Sequence, residues 1–240
     1  MALGVAEIMS SDSLYYKDTG KLPFASKVSA LFRKKMFARF MAGMLPDPDY
    51  RILDVGVTCD EKHQESNYFE NLYPHKDKIV CVGTEAGGYL EKKYPGIKFI
   101  RVEPHKPLPF RDKEFDIVFS NAVIEHVGSR GAQKAFVLEM LRVGKFFFLT
   151  TPNRWCPVEL HTAIPLLHYF PERIYRGLLS ALGETYWNRE ENLNLLTRKE
   201  LKSLFPAEVG VVIGGVGCFG LTTNLLAYGA SQKADRRAVS

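Results

Sequence analysis

The sequence predicts an α/β fold, a doubly wound and mostly parallel sheet with a helical lid inserted near its end. Two observations carry this. From residue 50 to residue 150, short apolar runs alternate with segments of helical period, the pattern of βα units feeding one parallel sheet. Phe115 to Phe119 is a nearly continuous apolar run, as expected of a strand buried on both faces.

The elements follow in order. The first ~20 residues are polar and without period, as loose termini often are. Ser26 reads as an N-cap, followed by Val28, Phe32, Met36 and Phe40 at helical spacing up to Gly43. The opposite face carries Lys27, Arg33, Lys34, Lys35 and Arg39. It reads as a solvated face, or as a contact for an anionic lipid surface or a phosphate-bearing substrate. Pro46 to Asp49 is a turn. Strands are expected at Ile52–Val55, Ile79–Val82, Ile97–Val102, Phe115–Phe119 and from Lys145, with helices at Ser66–Tyr73 and Tyr89–Tyr94. Ser129 caps a further helix, with Ala132, Ala135, Phe136, Met140 and Val143 on one side. Thr197 and Glu200 have capping-box spacing for a helix through Phe205. Val209–Ile213 and Leu221–Tyr228 read as two last strands joined by a Gly-rich connection.

Composition narrows the class. The chain has 240 residues, 46% hydrophobic and 25% charged, enough for one sizeable core. A net charge of +5 is too mild to argue for nucleic acid, and no appended basic module is seen. Cys59, Cys81, Cys156 and Cys218 lie far apart, so they read as reduced thiols instead of a disulfide framework or a zinc site. No apolar run reaches the ~18 residues of a membrane span. The opening MALGVAEIMSSDS lacks a signal peptide's basic start and apolar run, so a cytoplasmic location is expected.

In a doubly wound sheet, ligands bind at the carboxyl ends of the strands. There the sequence places Asp54, Gly56, Val57 and Thr58 after the first strand and Glu85 after the second. Glu103 and Pro104 follow the third, and the phrase SNAVIEHV, from Ser120 to Val127, follows the fourth. A glycine at position 56 permits close backbone approach. Glu85 stands where nucleoside sites hold ribose hydroxyls. The GxGxxG turn of a dinucleotide site is missing, which ranks a dinucleotide-dependent oxidoreductase last.

RILDVG, an acid after the second strand and LPFRDKEFDIVFSNAVIEHV together resemble the class I S-adenosylmethionine-dependent methyltransferases. The small bacterial type that includes the ubiquinone-biosynthesis enzymes is especially similar. The resemblance implies a seven-stranded Rossmann-like methyltransferase sheet with an antiparallel ending, and S-adenosyl-L-methionine as cofactor. It implies that Asp54 and Gly56 lie beside the amino-acid end of the cofactor, with Val57 and Thr58 in the same loop. Glu85 would hold the ribose hydroxyls, Glu103 and Pro104 would lie near the adenine, and Ser120 and Asn121 would flank the cofactor. Val57, Thr58 and Cys59 stand where the family commonly has further glycines. The polar stretch Thr58 to Ser66 could then fold over the site as a lid.

Methyl transfer needs a positioned nucleophile and, for oxygen or nitrogen, a base. His126 is the leading candidate, with capping or orienting the next helix as its structural alternative. His161, near Glu159 in the aromatic-rich insertion, is the second. Pro157 and Pro165 read as helix starts there, which would let His161 and His168 share a helix face or simply pack under the lid. Their spacing matches no common metal site, so no metal is predicted. In PERIYRGLLSALG, Ile174, Leu178 and Leu182 oppose Arg173 and Arg176, a hint of a hydrophobic or lipid-linked substrate.

The expected organisation is an N-terminal cap helix region (1–45), a cofactor-binding core (46–150), a lid (151–195) and a closing helix with two strands (196–240). The expected function is methyl transfer to a small-molecule or lipid-linked acceptor, such as a secondary metabolite, a surface sugar or a quinone-like ring, at oxygen. The alternative is a non-catalytic methyltransferase-like binding or scaffold protein. Neither the acceptor nor the oligomeric state is legible.

Overall fold

The computed structural model describes residues 23–58, 67–157, 161–162, 164–218 and 220–232. The polar N-terminal stretch, Cys59, Asp60, Glu159 and most of the Thr58–Ser66 loop lie outside these residues, so the lid expected of that loop does too.

Seven strands form one sheet in the order β3-β2-β1-β4-β5-β7-β6. They are β1 (Ile52–Val55), β2 (Ile79–Gly83), β3 (Lys98–Arg101), β4 (Phe115–Asn121), β5 (Gly144–Pro152), β6 (Val212–Cys218) and β7 (Leu221–Ala230). The first five run parallel, and β7 enters antiparallel between β5 and β6. The expected sheet is therefore the observed one. Parallel pairing gathers the carboxyl ends of β1 to β4 on one edge.

Strand alternation splits the core in two. Leu53 and Val55 of β1 face one side, with Val118, Phe147, Leu149 and the helix α4 (Arg130–Val143). Ile52 faces the other, with Ile117, Phe119, Phe148 and the helix α1 (Pro23–Met44). Helix α1 begins before Ser26, at a proline, whose missing N–H costs nothing in a first turn. Its residues Met36 and Phe40 are buried as the period predicts. Phe40 meets Phe69, Phe119 and Phe148 edge-on at 5.1, 5.6 and 5.4 Å, so α1 is part of the core. Its basic residues Lys34, Lys35 and Arg39 are exposed. Three short helices complete the core: α2 (Tyr68–Leu72), α3 (Tyr89–Lys93) and α6 (Arg198–Ser203), the last with the expected Thr197–Glu200 capping box.

Three expectations are corrected. The buried face of α4 is Gln133, Val137, Met140, Leu141 and Val143, while Ala135 is exposed. An apolar-period search skips Gln133, whose amide is satisfied inside the fold. The Gly-rich connection before β7 is mostly strand β6 itself. A Cβ on Gly215 would meet Thr222 at 2.5 Å and one on Gly217 would lie 1.7 Å from the Leu221 carbonyl oxygen, so glycine permits the tight, bulged pairing with β7. Pro165 does not start a helix, and the residues that follow Pro157 lie outside those described. The insertion's described helical turns are Leu167–Tyr169 and α5 (Glu172–Ala181).

The LPF segment is strapped down by α4. Arg142 donates to the carbonyls of Leu108 and Phe110 at 3.0 and 2.8 Å and pairs with Glu139 and Asp112. Glu139 accepts from the Leu108 N–H at 2.6 Å, and its hydrogen bonds with Arg142 help hold its carboxyl below the usual range. Arg142→Ala is expected to lower unfolding stability by about 1.5–3 kcal/mol, the scale of hydrogen bonds to charged groups. In urea titrations, Lys134→Ala, exposed on the same helix, should shift the midpoint far less.

Candidate active site

The carboxyl edge of the sheet brings together most of the predicted residues. Gly56 leaves β1 with φ +93°, and its N–H donates to Val82 O at 2.8 Å. A Cβ at this position would sit 2.3 Å from Val123 Cγ2, so glycine admits the loop after β4 over the end of β1. That close approach by Val123 was not foreseen.

Thr58 is held through its backbone. The Asn67 side chain accepts from its N–H at 3.2 Å and donates to its carbonyl at 3.0 Å, and the Tyr89 hydroxyl donates to the same carbonyl. This two-way amide clamp fixes a turn that lacks the family's extra glycines.

Asp54, Gly56, Val57, Asn67, Tyr68, Phe69, Glu70, Phe119 and Asn121 line a small cavity of about 20 Å³. Asp54 is 5% exposed and Glu70 is 1% exposed. Burial pushes the Asp54 carboxyl well above its usual range, and the neighbouring Glu70, which is hydrogen-bonded to it, adds to the shift. Cys81 donates its thiol to Glu70 Oε1 at 3.3 Å, and burial first, then Glu70, raises that thiol as well. Tyr68 is raised by burial and by Asp54, so its hydroxyl stays protonated and donates to Asn121 Oδ1 at 3.4 Å. Glu70, Tyr68 and Asn67 line the same cavity and are not singled out by the sequence. Glu70 reads as an ordinary helix-surface acid until α2 folds it against Asp54.

The other strand ends divide. Glu85 lies half-buried in the turn after β2, whose Thr84 carbonyl accepts from Arg101 Nε at 3.0 Å. Glu103 and Pro104 are exposed, and Glu103 pairs with Lys106 at 2.6 Å. Ser120 is buried and donates to Val55 O at 2.9 Å, so its hydroxyl braces β4 against β1. Asn121 accepts from Thr150 Oγ1 at 2.6 Å and lines the cavity. Ala122 follows at φ +54°, a strained turn for a residue with a Cβ, and aims the chain toward Val123.

A second corner forms at the end of the same loop. Glu125 is fully buried, and its Oε2 accepts from Thr151 Oγ1 at 2.9 Å. His126 Nδ1 lies 2.6 Å from Asn192 O. A carbonyl only accepts, so Nδ1 donates, and Nε2 lies 3.9 Å from Glu125 Oε1. His161 packs on His126 at 4.8 Å and on the buried Trp187 at 4.8 Å between ring centroids. His161 and His168 do not share a helix face. His168 is buried, with Nε2 2.7 Å from Cys156 O, and its role there is packing.

The insertion holds this corner. Asn194 donates its N–H to Glu125 O at 2.7 Å and its amide to Gly128 O at 2.8 Å. Gln133 donates to Ile124 O and Asn194 O at 3.0 and 2.8 Å. Helix α5 buries Tyr175 and Leu179 against Trp187 and Leu193 and leaves Ile174, Leu178 and Leu182 exposed. The stripe noted in the sequence therefore faces outward.

The raised Asp54 carboxyl has a sign. The folded chain holds a proton that the unfolded chain releases near pH 3.9, so stability is fullest below that value and falls as pH rises toward the folded pKa. Asp54→Asn should flatten this decline in melting temperature above pH 4. An unchanged slope in thermal melts across pH 4 to 8 would contradict a buried Asp54 carboxyl raised above its usual range.

The chain matches the family model described as a methyltransferase domain over residues 77–146. No curated protein matches it. Among solved structures, it resembles a Haloferax volcanii methyltransferase in complex with the Trm112 activator, at TM-score 0.57 and 12% identity, covering 93% of this chain and 98% of that one. It also resembles an S-adenosylmethionine-dependent methyltransferase from Aquifex aeolicus, at TM-score 0.50, 15% identity and 87% and 94% coverage. The CurJ carbon methyltransferase is similar at TM-score 0.55 and 13% identity, with 92% of this chain and 57% of that chain covered. The sheet order and the closing hairpin agree with the fold of these solved structures, and residues 77–146 match a methyltransferase domain.

Proposed function

We propose that the protein methylates an oxygen of a small-molecule or lipid-linked acceptor, with S-adenosylmethionine held across the ends of β1, β2 and β4. Asp54, Gly56, Val57 and Thr58 face the amino-acid end of the cofactor, where the Asp54 carboxyl would accept a hydrogen bond from its amino group. Glu85 takes the ribose hydroxyls, Glu103 and Pro104 border the adenine, and Ser120 and Asn121 support the cofactor from β4. At about 20 Å³ the cavity is far smaller than the cofactor, so α2, carrying Asn67 and Tyr68, moves outward when it binds.

The observation that carries the oxygen reading is the corner of Glu125, His126 and His161. When bound, S-adenosylmethionine would supply an activated methyl group, and His126 Nε2 would take the proton of the acceptor hydroxyl that receives it. His161 and Trp187 wall the acceptor from water, and the insertion acts as the lid of this pocket. The outward stripe Ile174, Leu178 and Leu182, with exposed Arg173 beside it, suits an acceptor delivered from a membrane surface. Among the described residues, no helix is long and apolar enough to cross a membrane.

Calorimetric titration with S-adenosylmethionine and S-adenosylhomocysteine tests the cofactor half. Micromolar binding that is lost in Glu85→Ala is expected. No binding of either compound to folded wild-type protein would overturn the reading. A screen of phenols, hydroxyquinones and sugars with methyl-labelled cofactor tests the acceptor half. His126→Gln should then lower kcat by about 10²–10⁴-fold and leave cofactor affinity unchanged.

A further inference from the structure

The Glu125, His126 and His161 corner has a property that base chemistry does not need. One ligating atom from each residue lies within 4.8 Å of the others, the one such grouping of three found among the described residues. Two donors on metal bonds of ~2.1 Å can stand no more than about 4.2 Å apart, so the longest separation must close by about half an ångström. His161 sits in a turn and can supply that movement.

The surroundings fit a metal as well. His126 gives its Nδ1–H to a backbone carbonyl, which fixes the tautomer and aims Nε2, the arrangement metal-bound histidines use. Thr151 anchors one oxygen of the buried Glu125 and turns the other toward the histidines. Trp187, 1% exposed, backs both imidazoles, 5.8 Å from the His126 ring and 4.8 Å from the His161 ring, and lowers the local dielectric. The reading from spacing weighed His161 with His168 and predicted no metal. The fold pairs His161 with His126 and adds a carboxylate from the neighbouring position.

We propose that Glu125, His126 and His161 bind a divalent transition metal of the zinc class. Two imidazoles and one carboxylate suit a borderline cation and leave a coordination position open. This inference rests on the reading of the corner as the acceptor site and deepens it. With the cation in place the acceptor hydroxyl would occupy the open position, and His126 would promote loss of its proton through the cation in place of taking that proton itself.

The test is titration of chelator-treated full-length protein with Co²⁺, whose visible bands report nitrogen and oxygen ligation, followed by Zn²⁺ competition. One equivalent of Co²⁺ should bind and be displaced by Zn²⁺. His161→Ala and Glu125→Gln should each weaken binding by about tenfold or more, whereas His105→Ala, exposed and remote in sequence, should not. If Glu125→Gln fails to fold, His161→Ala alone decides. No saturable Co²⁺ binding to wild type, or equal binding by His161→Ala, overturns the metal site. S-adenosylhomocysteine titration of the same samples separates the two ideas. Its binding without Co²⁺ binding sinks the metal alone, and Co²⁺ binding without it sinks the methyltransferase reading of the site.

Discussion

The joint between the loop after β4 and the last turn of the insertion is the constraint on which the site depends. Glu125 is a carboxylate with no exposure, placed at the end of a parallel strand where backbone groups run out of ladder partners. Leaving such groups unpaired would cost several kcal/mol. The fold satisfies them from the insertion, from α4 and, at the Glu125 carboxylate, from Thr151 of β5. Asn194 takes the Glu125 and Gly128 carbonyls, Asn192 offers its carbonyl to His126, and Gln133 ties Ile124 to Asn194. Arg130 then closes the joint from α4, donating to Leu195 O at 2.8 Å and pairing with Glu200 at 3.0 Å. The insertion is thus built into the wall of the active-site edge.

The same loop governs the cofactor side. Once Glu125 is fixed, the chain between Asn121 and Glu125 must turn sharply, and Ala122 takes the left-handed conformation to do so. That places Val123 over Gly56, where no other residue would fit. The end of β1 and the end of β4 are therefore set against each other by contact before any ligand arrives. Across the cavity, α2 contributes the buried Glu70 to Asp54 and the Asn67 clamp to Thr58. The turn after β1, with Gly56 as its single glycine, is held by side-chain hydrogen bonds. Val57 and Thr58 are accommodated in this turn because Asn67 and Tyr89 bind the Thr58 backbone from outside.

Much of the fold was legible because its signals are local. Runs such as Ile52–Val55 and Phe115–Phe119 announce strands by composition, and Thr197 with Glu200 announces a helix start by spacing. What escaped was long-range. Gln133 reads as a surface residue until Ile124 and Asn194 supply its partners, and Gly214 to Gly217 read as a connection until β7 presses against them. The outward stripe of α5 escaped for a related reason. Two apolar faces compete on that helix, and Trp187 and Leu193, from a later turn, choose Tyr175 and Leu179. In the site, Asp54, Gly56, Asn121 and His126 could be placed from strand order alone. Glu70 and the contact of His126 with His161 could not, because they join elements that sequence spacing does not relate.

Amide hydrogen exchange with and without S-adenosylhomocysteine tests the central claim most directly, because it reads the strand ends one segment at a time. The account predicts slowed exchange at residues 54–58, 67–70, 83–86 and 120–123, with β6 and β7 unchanged. Protection confined to other segments, or none at a saturating ligand concentration, would contradict a cofactor site at the carboxyl ends of β1, β2 and β4.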